Sequence, residues 1–223
     1  MCGEHMVFLI KHILDLQLER FINYVSKYIH MYKKRNKELE VISIYTGNYS
    51  ARFYLRQISK LIKLPLKTCQ NILAALESEK ILKSKLEGKN KYFFLNLDNI
   101  QTKSYLLQAE IYKLGLFLRN YPQFNTFLKS LNTNIPLIVF GSFAKMRADK
   151  GSDLDLLILS KKEPKELPFH LLPYKVHKII LSEISFIEAI KKQETLIKEI
   201  EEAHIILNNH SFYINIMWGQ YGR

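Results

Sequence analysis

Cysteine is almost missing from this 223-residue chain, which holds only Cys2 and Cys69. Two thiols so far apart match no metal-ligand spacing and cannot build a disulfide framework, which excludes zinc ribbons and small disulfide-stapled folds. The seven histidines are scattered, and none pairs with a cysteine at a zinc spacing. Glycine (8) and proline (6) are scarce, and neither an internal repeat nor a low-complexity stretch occurs. Long apolar runs are lacking as well. Met6–Ile10 is only five residues long before Lys11 and His12 interrupt it, too short for a signal-peptide core or a bilayer span. The expectation is a soluble cytoplasmic protein with no membrane association.

Acidic residues are in deficit. Lys and Arg number 33 against 21 Asp and Glu, a formal charge of +12. Residues 1–100 carry 17 basic and 9 acidic residues, or +8, which leaves +4 for residues 101–223. A basic front half points to a polyanionic partner, nucleic acid first and an acidic membrane surface second. The rest of the composition is ordinary: at 48% hydrophobic and 24% charged, the chain can bury a core, and its length suits two small domains or one large one.

Residues 6–32 place Leu9, Ile10, Ile13, Leu14, Leu18, Phe21, Ile22, Val25 and Ile29 at helical spacing. This segment is expected to pack against a core or to form a homodimer. The run Lys33-Lys34-Arg35-Asn36-Lys37 reads as a solvated connector.

Over residues 41–98, Leu55, Ile58, Leu61 and Ile62 define a short amphipathic helix that ends at Lys63-Leu64-Pro65. Cys69, Ile72, Leu73 and Leu76 stripe a second helix, whose other face shows Lys67, Thr68, Gln70, Asn71 and Ala74. These side chains are short or flat enough to approach base edges. Residues 81–85 and 92–95 then read as two strands joined through Glu87-Gly88-Lys89-Asn90, with Lys83, Lys85, Lys89 and Lys91 loading the hairpin with positive charge. Helix, turn, helix and basic hairpin is the winged helix-turn-helix order. The Leu-Arg-x-Ile-Ser opening at 55–59, Leu-Glu-Ser-Glu-Lys-Ile-Leu at 76–82 and Gly-x-Asn-Lys-Tyr at 88–92 resemble the winged helix of many archaeal transcription regulators. The resemblance implies contact with duplex DNA through Lys67, Thr68, Gln70, Asn71, Lys83, Lys85, Lys89 and Lys91. A helical connector over 99–131, split near Asn120-Tyr121-Pro122, leads into the last part.

Ile135–Phe140 is a β-branched apolar run that delivers Gly141-Ser142. It reads as a buried strand ending in a tight turn, whose hydroxyl and amides can hold phosphate oxygens if a helix begins over 143–147. Ser152–Leu159 reads as a second buried strand. Asp153 and Asp155 alternate there with Leu154 and Leu156, so both carboxylates project from one face. Two such carboxylates on an apolar strand call for a divalent cation, and Mg²⁺ suits hard oxygen ligands shared with a triphosphate.

Gly141-Ser142, ten residues, then Asp153-Leu154-Asp155 resembles the signature of the DNA polymerase β-like nucleotidyltransferase superfamily, in its minimal nucleotidyltransferase form. The resemblance implies that Gly141, Ser142, Lys145 and Ser152 bind the nucleotide, that Asp153 and Asp155 hold Mg²⁺ and act in catalysis, and that ATP donates a nucleoside monophosphate. The acceptor it implies is a hydroxyl of a protein, such as a toxin-like partner, or of a nucleic acid.

There are two departures. Met146 stands where similar proteins have glycine, which is expected to alter the turn. The strand expected at 174–181 has no acid, and Lys175, His177 and Lys178 stand where a third carboxylate is sought, with Glu183 just beyond. A second reading follows: a winged-helix transcription regulator whose nucleotidyltransferase-like domain senses nucleotide or has lost activity. Residues 186–206 read as one amphipathic helix and 211–217 as a short closing strand. The expected fold class is α+β, with an N-terminal helix and connector (1–40), a winged helix-turn-helix domain (41–98), the helical connector (99–131) and a small mixed-sheet nucleotidyltransferase-like domain with flanking helices (132–223).

Overall fold

The computed structural model describes residues 35–164 and 167–222, and Glu38–Arg223 gather into one compact unit. The helix expected over 6–32 lies outside the described residues. The described residues form a mixed α+β structure with two small sheets.

The first elements are α1 (Lys37–Ser43), β1 (Phe53–Tyr54), α2 (Leu55–Ile62), α3 (Leu66–Ser78), β2 (Leu82–Glu87) and β3 (Asn90–Leu95). Ile58 and Ile62 are buried on α2, and Cys69, Leu73 and Leu76 on α3, the i, i+4, i+7 stripe of a half-buried helix. Lys63 ends α2 in the left-handed region at φ 51°, which lets the Leu64 N–H donate to the Ser59 carbonyl at 3.1 Å. Pro65 then starts α3. The three strands form an antiparallel sheet in the order β1-β3-β2, with Leu82 opposite Leu95 and Glu87 opposite Asn90.

Helix α4 (Ile100–Asn120) links this layer to the second sheet. Its N-cap is Asn99, whose side chain accepts from the Gln101 N–H at 3.0 Å. Then follow α5 (Phe124–Lys129), β4 (Leu137–Val139), α6 (Gly141–Ala144), β5 (Leu154–Leu159), a 3₁₀ turn (Phe169–Leu171), β6 (Val176–Leu181), α7 (Glu183–Lys192), α8 (Thr195–Glu202), β7 (Ile205–Asn208) and α9 (His210–Tyr221). The second sheet has the order β6-β5-β4-β7. β4 is antiparallel to β5 and β7, and β6 is parallel to β5.

Both faces of this sheet are covered, which explains why its strands read as continuous apolar runs. Leu137, Val139, Leu154, Leu156, Ile158, Ile205 and Leu207 point into an aromatic core with Phe117, Phe124 and Phe127. Ile138, Leu157, Leu159 and Ile206 point the other way, into a core shared with Tyr45, Ile58, Leu73 and Phe93 of the first layer.

Two expectations change. The helix read over 186–206 is two helices, broken where Gln193 takes φ 52°. The segment after them, Ile205–Asn208, is the closing strand. Residues 211–217, read as that strand, lie in α9. The alternating Phe212, Ile214 and Ile216 suggested period two, yet the buried set is Tyr213, Ile214, Ile216 and Met217, which is helical spacing.

A buried polar cluster sits where α4 crosses the second sheet. Glu110, His204 and Thr46 are at most 1% exposed. His204 Nδ1 donates to the Ile200 carbonyl at 2.8 Å, and its Nε2 lies 2.8 Å from Glu110 Oε1. The Lys113 ammonium donates to Thr46 Oγ1 at 3.0 Å and lies 3.0 Å from Glu110 Oε2. Beside it, Gly47 packs so closely that a Cβ there would stand 2.0 Å from the Glu201 carbonyl oxygen. Burial pushes the Glu110 carboxyl upward, but the charges and hydrogen bonds of His204 and Lys113 outweigh it and hold it at about 2. Burial lowers the Lys113 ammonium in the opposite sense, against stability, so the net worth of the pair is smaller than the Glu110 shift alone suggests.

Because the folded carboxyl titrates below its unfolded value of 4.5, its contribution is present above that pH and fades as pH falls toward 2. Glu110→Gln should cost about 3–5 kcal/mol at neutral pH, since Lys113 stays buried without its counter-charge. It should also flatten the loss of stability between pH 4.5 and 2. Denaturant unfolding of both proteins at pH 7 and pH 3 checks this; superimposable curves at both would contradict it.

Candidate functional site

The site begins where β4 ends. The Phe140 N–H donates to the Asp155 carbonyl at 3.1 Å, extending the β4–β5 ladder to the turn. Gly141 follows at φ 68°, a region that costs other residues about 1–2 kcal/mol. A Cβ on Gly141 would stand 2.4 Å from Asp155 Oδ2, so glycine is demanded by both conformation and space.

Helix α6 starts at Gly141, two residues earlier than expected, and is a single turn long. It closes with Met146 N–H donating to the Phe143 carbonyl and Arg147 N–H to the Ser142 carbonyl, each at 3.0 Å, the Schellman pattern. Met146 itself takes φ 55°. The turn that the glycine-to-methionine departure was expected to alter therefore keeps a glycine-like backbone, and Met146 carries the strain. First-turn amides have no intrahelical acceptor, and Ser142 in this turn is half-buried. Phe143 anchors the turn from beneath, with its ring centroid 4.6 Å from Tyr174 and 5.1 Å from Tyr121.

The two aspartates come from the start of β5, though not both from the strand. Asp155 is its second residue, and Asp153 precedes it. Asp155 shares its face with Leu157 and Leu159, which enter the core, and sits at the rim where that face meets solvent. Strand β6 pairs Asp155 with His177. His177 Nδ1 lies 3.1 Å from Asp155 Oδ1, with the two side chains 64% and 31% exposed. Lys175 Nζ lies 3.4 Å from Asp153 Oδ2, and both side chains are largely exposed, so this ion pair holds little energy.

The remaining signature residues have structural partners. Lys145 pairs with Glu202 at 2.8 Å. Ser152 donates to Asp149 Oδ1 at 2.9 Å and accepts from the Asp149 N–H at 3.0 Å, bracing the turn into β5. The hydrogen bonds from Ser152 and the Gly151 N–H hold the exposed Asp149 carboxyl below its usual range.

Glu183 does not complete the acidic pair. It opens α7 beyond Leu181, which pairs with Leu159 at the far end of β5, and at about 3.3 Å per residue the strand alone puts roughly 13 Å between Leu181 and His177. Among the described residues, no group of three or more His, Cys, Asp or Glu is arranged to hold a metal. Two hard carboxylates do fit a single Mg²⁺ that takes its other oxygens from phosphate and water. They do not supply protein ligands for two.

The residues read as nucleic-acid contacts lie together on the first layer. Lys67, Gln70 and Asn71 are exposed on α3 and Thr68 is half-buried. A groove of about 640 Å³ between α3 and the hairpin is lined by Arg56, Gln70, Ala74, Glu77, Lys89 and Lys91 among others. Sequence reasoning missed the acids here. Lys91 pairs with Glu77 at 2.7 Å, Lys85 approaches Glu87 at 3.8 Å, and Lys83 pairs with Asp98. Register alone could have revealed the Lys85–Glu87 pair, since i and i+2 share a strand face.

Residues 122–208 match the family model described as a nucleotidyltransferase domain. That stretch runs from the α4–α5 break through β7 and contains Gly141, both aspartates and His177. No curated protein and no solved structure gives a significant match. Among the described residues, no helix is long and apolar enough to cross a membrane.

Gly141→Ala should displace the Asp155 carboxylate, lowering affinity for a fluorescent ATP analogue about tenfold or more and destabilising the chain by about 1–2 kcal/mol. Titration with the analogue, beside a thermal melt, measures both; unchanged affinity would separate Gly141 from ligand binding.

Proposed function

We propose that the site binds a nucleoside triphosphate, with ATP as the first choice, and transfers its nucleoside monophosphate to a hydroxyl of a protein or nucleic acid. The observation that carries this reading is that Asp155 Oδ2 occupies the space a Cβ on Gly141 would need, with Asp153 at the same strand end, inside a stretch that matches a nucleotidyltransferase domain. The α6 amides and the Ser142 hydroxyl take phosphate oxygens, which asks only for positioning and charge neutralisation. Asp153 and Asp155 would hold Mg²⁺, which when bound neutralises the phosphates and polarises the α-phosphate. Lys145, steadied by Glu202, adds positive charge beside the turn.

A second reading, nucleotide sensing without turnover, is favoured by Lys175 and His177, which already contact the two aspartates. Labelled α-phosphate of ATP, incubated with the protein, Mg²⁺ and cell extract, separates the two. The transfer reading expects a labelled macromolecule that disappears with Asp153→Ala/Asp155→Ala. Nucleotide binding without any labelled product would support the sensor instead.

For residues 53–95, we propose a winged helix that reads duplex DNA with the Lys67, Thr68, Gln70 and Asn71 face of α3 and holds phosphates with the hairpin. Lys83, Lys85 and Lys91 each have an acidic partner, whereas Lys67 and Lys89 make no ion pair among the described residues. Lys67→Ala and Lys89→Ala should each weaken binding and lower the log–log salt slope by about 1, while Lys83→Ala should change it less. Gel shifts across a salt series test this; binding that ignores salt would sink the phosphate contacts.

A further inference from the structure

Nucleotidyl transfer needs a group that receives the proton of the attacking hydroxyl, within hydrogen-bond reach of it. Most of the carboxylates at this site already face a neighbour. Asp155 Oδ2 is turned to Gly141 and Asp153 Oδ2 to Lys175. Glu202 pairs with Lys145 and Glu163 with Lys178, and β6 contains no acid. His177 remains. A carboxylate oxygen only accepts, so at 3.1 Å from Asp155 Oδ1 it is Nδ1 that carries the proton. In the neutral ring this leaves the lone pair on Nε2, on a side chain 64% exposed. The two oxygens of Asp155 thus divide their roles, with Oδ2 facing the phosphate turn and Oδ1 orienting an imidazole. A base oriented by a third group is the recurrent arrangement for activating a weak nucleophile.

We infer that His177 is the base for the acceptor hydroxyl and Asp155 its positioning residue, an inference that rests on the transfer reading above. The hydroxyl oxygen bonds to the α-phosphorus, and the bond from that phosphorus to the bridging oxygen of pyrophosphate breaks. Pyrophosphate leaves with the electron pair, and the hydroxyl proton passes to His177 Nε2. The sheet order sets the direction of approach. Gly141 lies on the β4 side of Asp155 and His177 on the β6 side, so the acceptor comes in over β6, across the aspartates from the phosphate turn. In-line displacement demands that opposition.

The test follows pyrophosphate release from ATP, with single-stranded DNA and RNA oligonucleotides and soluble cell extract offered in turn as hydroxyl sources. Asp153→Ala/Asp155→Ala supplies the background. His177→Gly should lower the rate about 100-fold or more while ATP affinity stays within about threefold. Added imidazole should restore at least about tenfold of the loss, a rescue that a purely structural role does not give. An unchanged rate, or a loss that imidazole leaves untouched, overturns the proposal. In the wild-type chain, ¹⁵N-edited spectra of the His177 ring should show the neutral form protonated at Nδ1. A neutral ring protonated at Nε2 overturns the proposal even where the variant misfolds. Wild-type protein that releases no more pyrophosphate than the double variant removes the transfer reading itself, and the base with it.

Discussion

A carboxylate on an apolar strand is costly unless it has partners, and Asp155 is the one charged residue among Leu154–Leu159. Its position at the solvent rim reduces the cost, and the chain fixes its orientation from both neighbouring strands. On the β4 side, Gly141 gives it the space of a missing Cβ; on the β6 side, His177 meets its other oxygen. The turn around it follows from this constraint. Gly141 holds φ 68° where α6 begins, and the closure of that single turn places Met146 in a left-handed conformation. The aromatic stack of Phe143, Tyr121, Phe124 and Tyr174 supplies the packing that keeps the strained turn in place.

The same sheet also carries the rest of the molecule. Its second face shares a core with the helices and hairpin of residues 41–95, so the two layers are not separable globules joined by a tether. Helix α4 makes the join, and the Glu110–His204–Lys113–Thr46 cluster fixes its register by directional bonds where apolar packing alone would tolerate sliding. His204 lies two residues from Glu202, the partner of Lys145 beside the Gly141 turn. One short segment therefore touches both the join and the site.

Much of this was legible from residue pattern. The turn at 141–142, the strand that follows Asp153, the helix stripe at Cys69, Leu73 and Leu76, and the break at Asn120–Pro122 all rest on local chemistry: glycine, alternation and helical spacing. What failed was non-local. Phe212–Met217 alternates well enough to look like a strand, and only the presence of β7 at 205–208 shows that the sheet edge is already filled. Glu183 is near His177 in sequence and near nothing at the site, because a strand carries its neighbours away at a fixed rise. His177 looked like a missing acid until register put its ring against Asp155. One helix stop was hidden for a related reason: with few glycines available, Gln193 takes a left-handed position, and glutamine does not announce a stop.

The net charge of +12 invites the view that the surface is a uniform field for polyanions, and the pairing of individual cations argues otherwise. Hairpin lysines 83, 85 and 91 face Asp98, Glu87 and Glu77, so each must exchange one partner for another before it can add to binding. Exposed pairs of this kind are weak, which makes the exchange inexpensive. It also makes affinity depend on how many phosphates arrive together, since a lone anion gains little over the acid it displaces. At the aspartate pair the logic is reversed. There the Lys175 ammonium and the imidazole of His177 attend the two carboxylates, and on the proposed reading a triphosphate with its metal would compete for both sets at once. Hairpin lysines that mostly have acidic partners, and an aspartate pair already attended by Lys175 and His177, would on the proposed reading both favour a ligand that brings several charges in a fixed geometry.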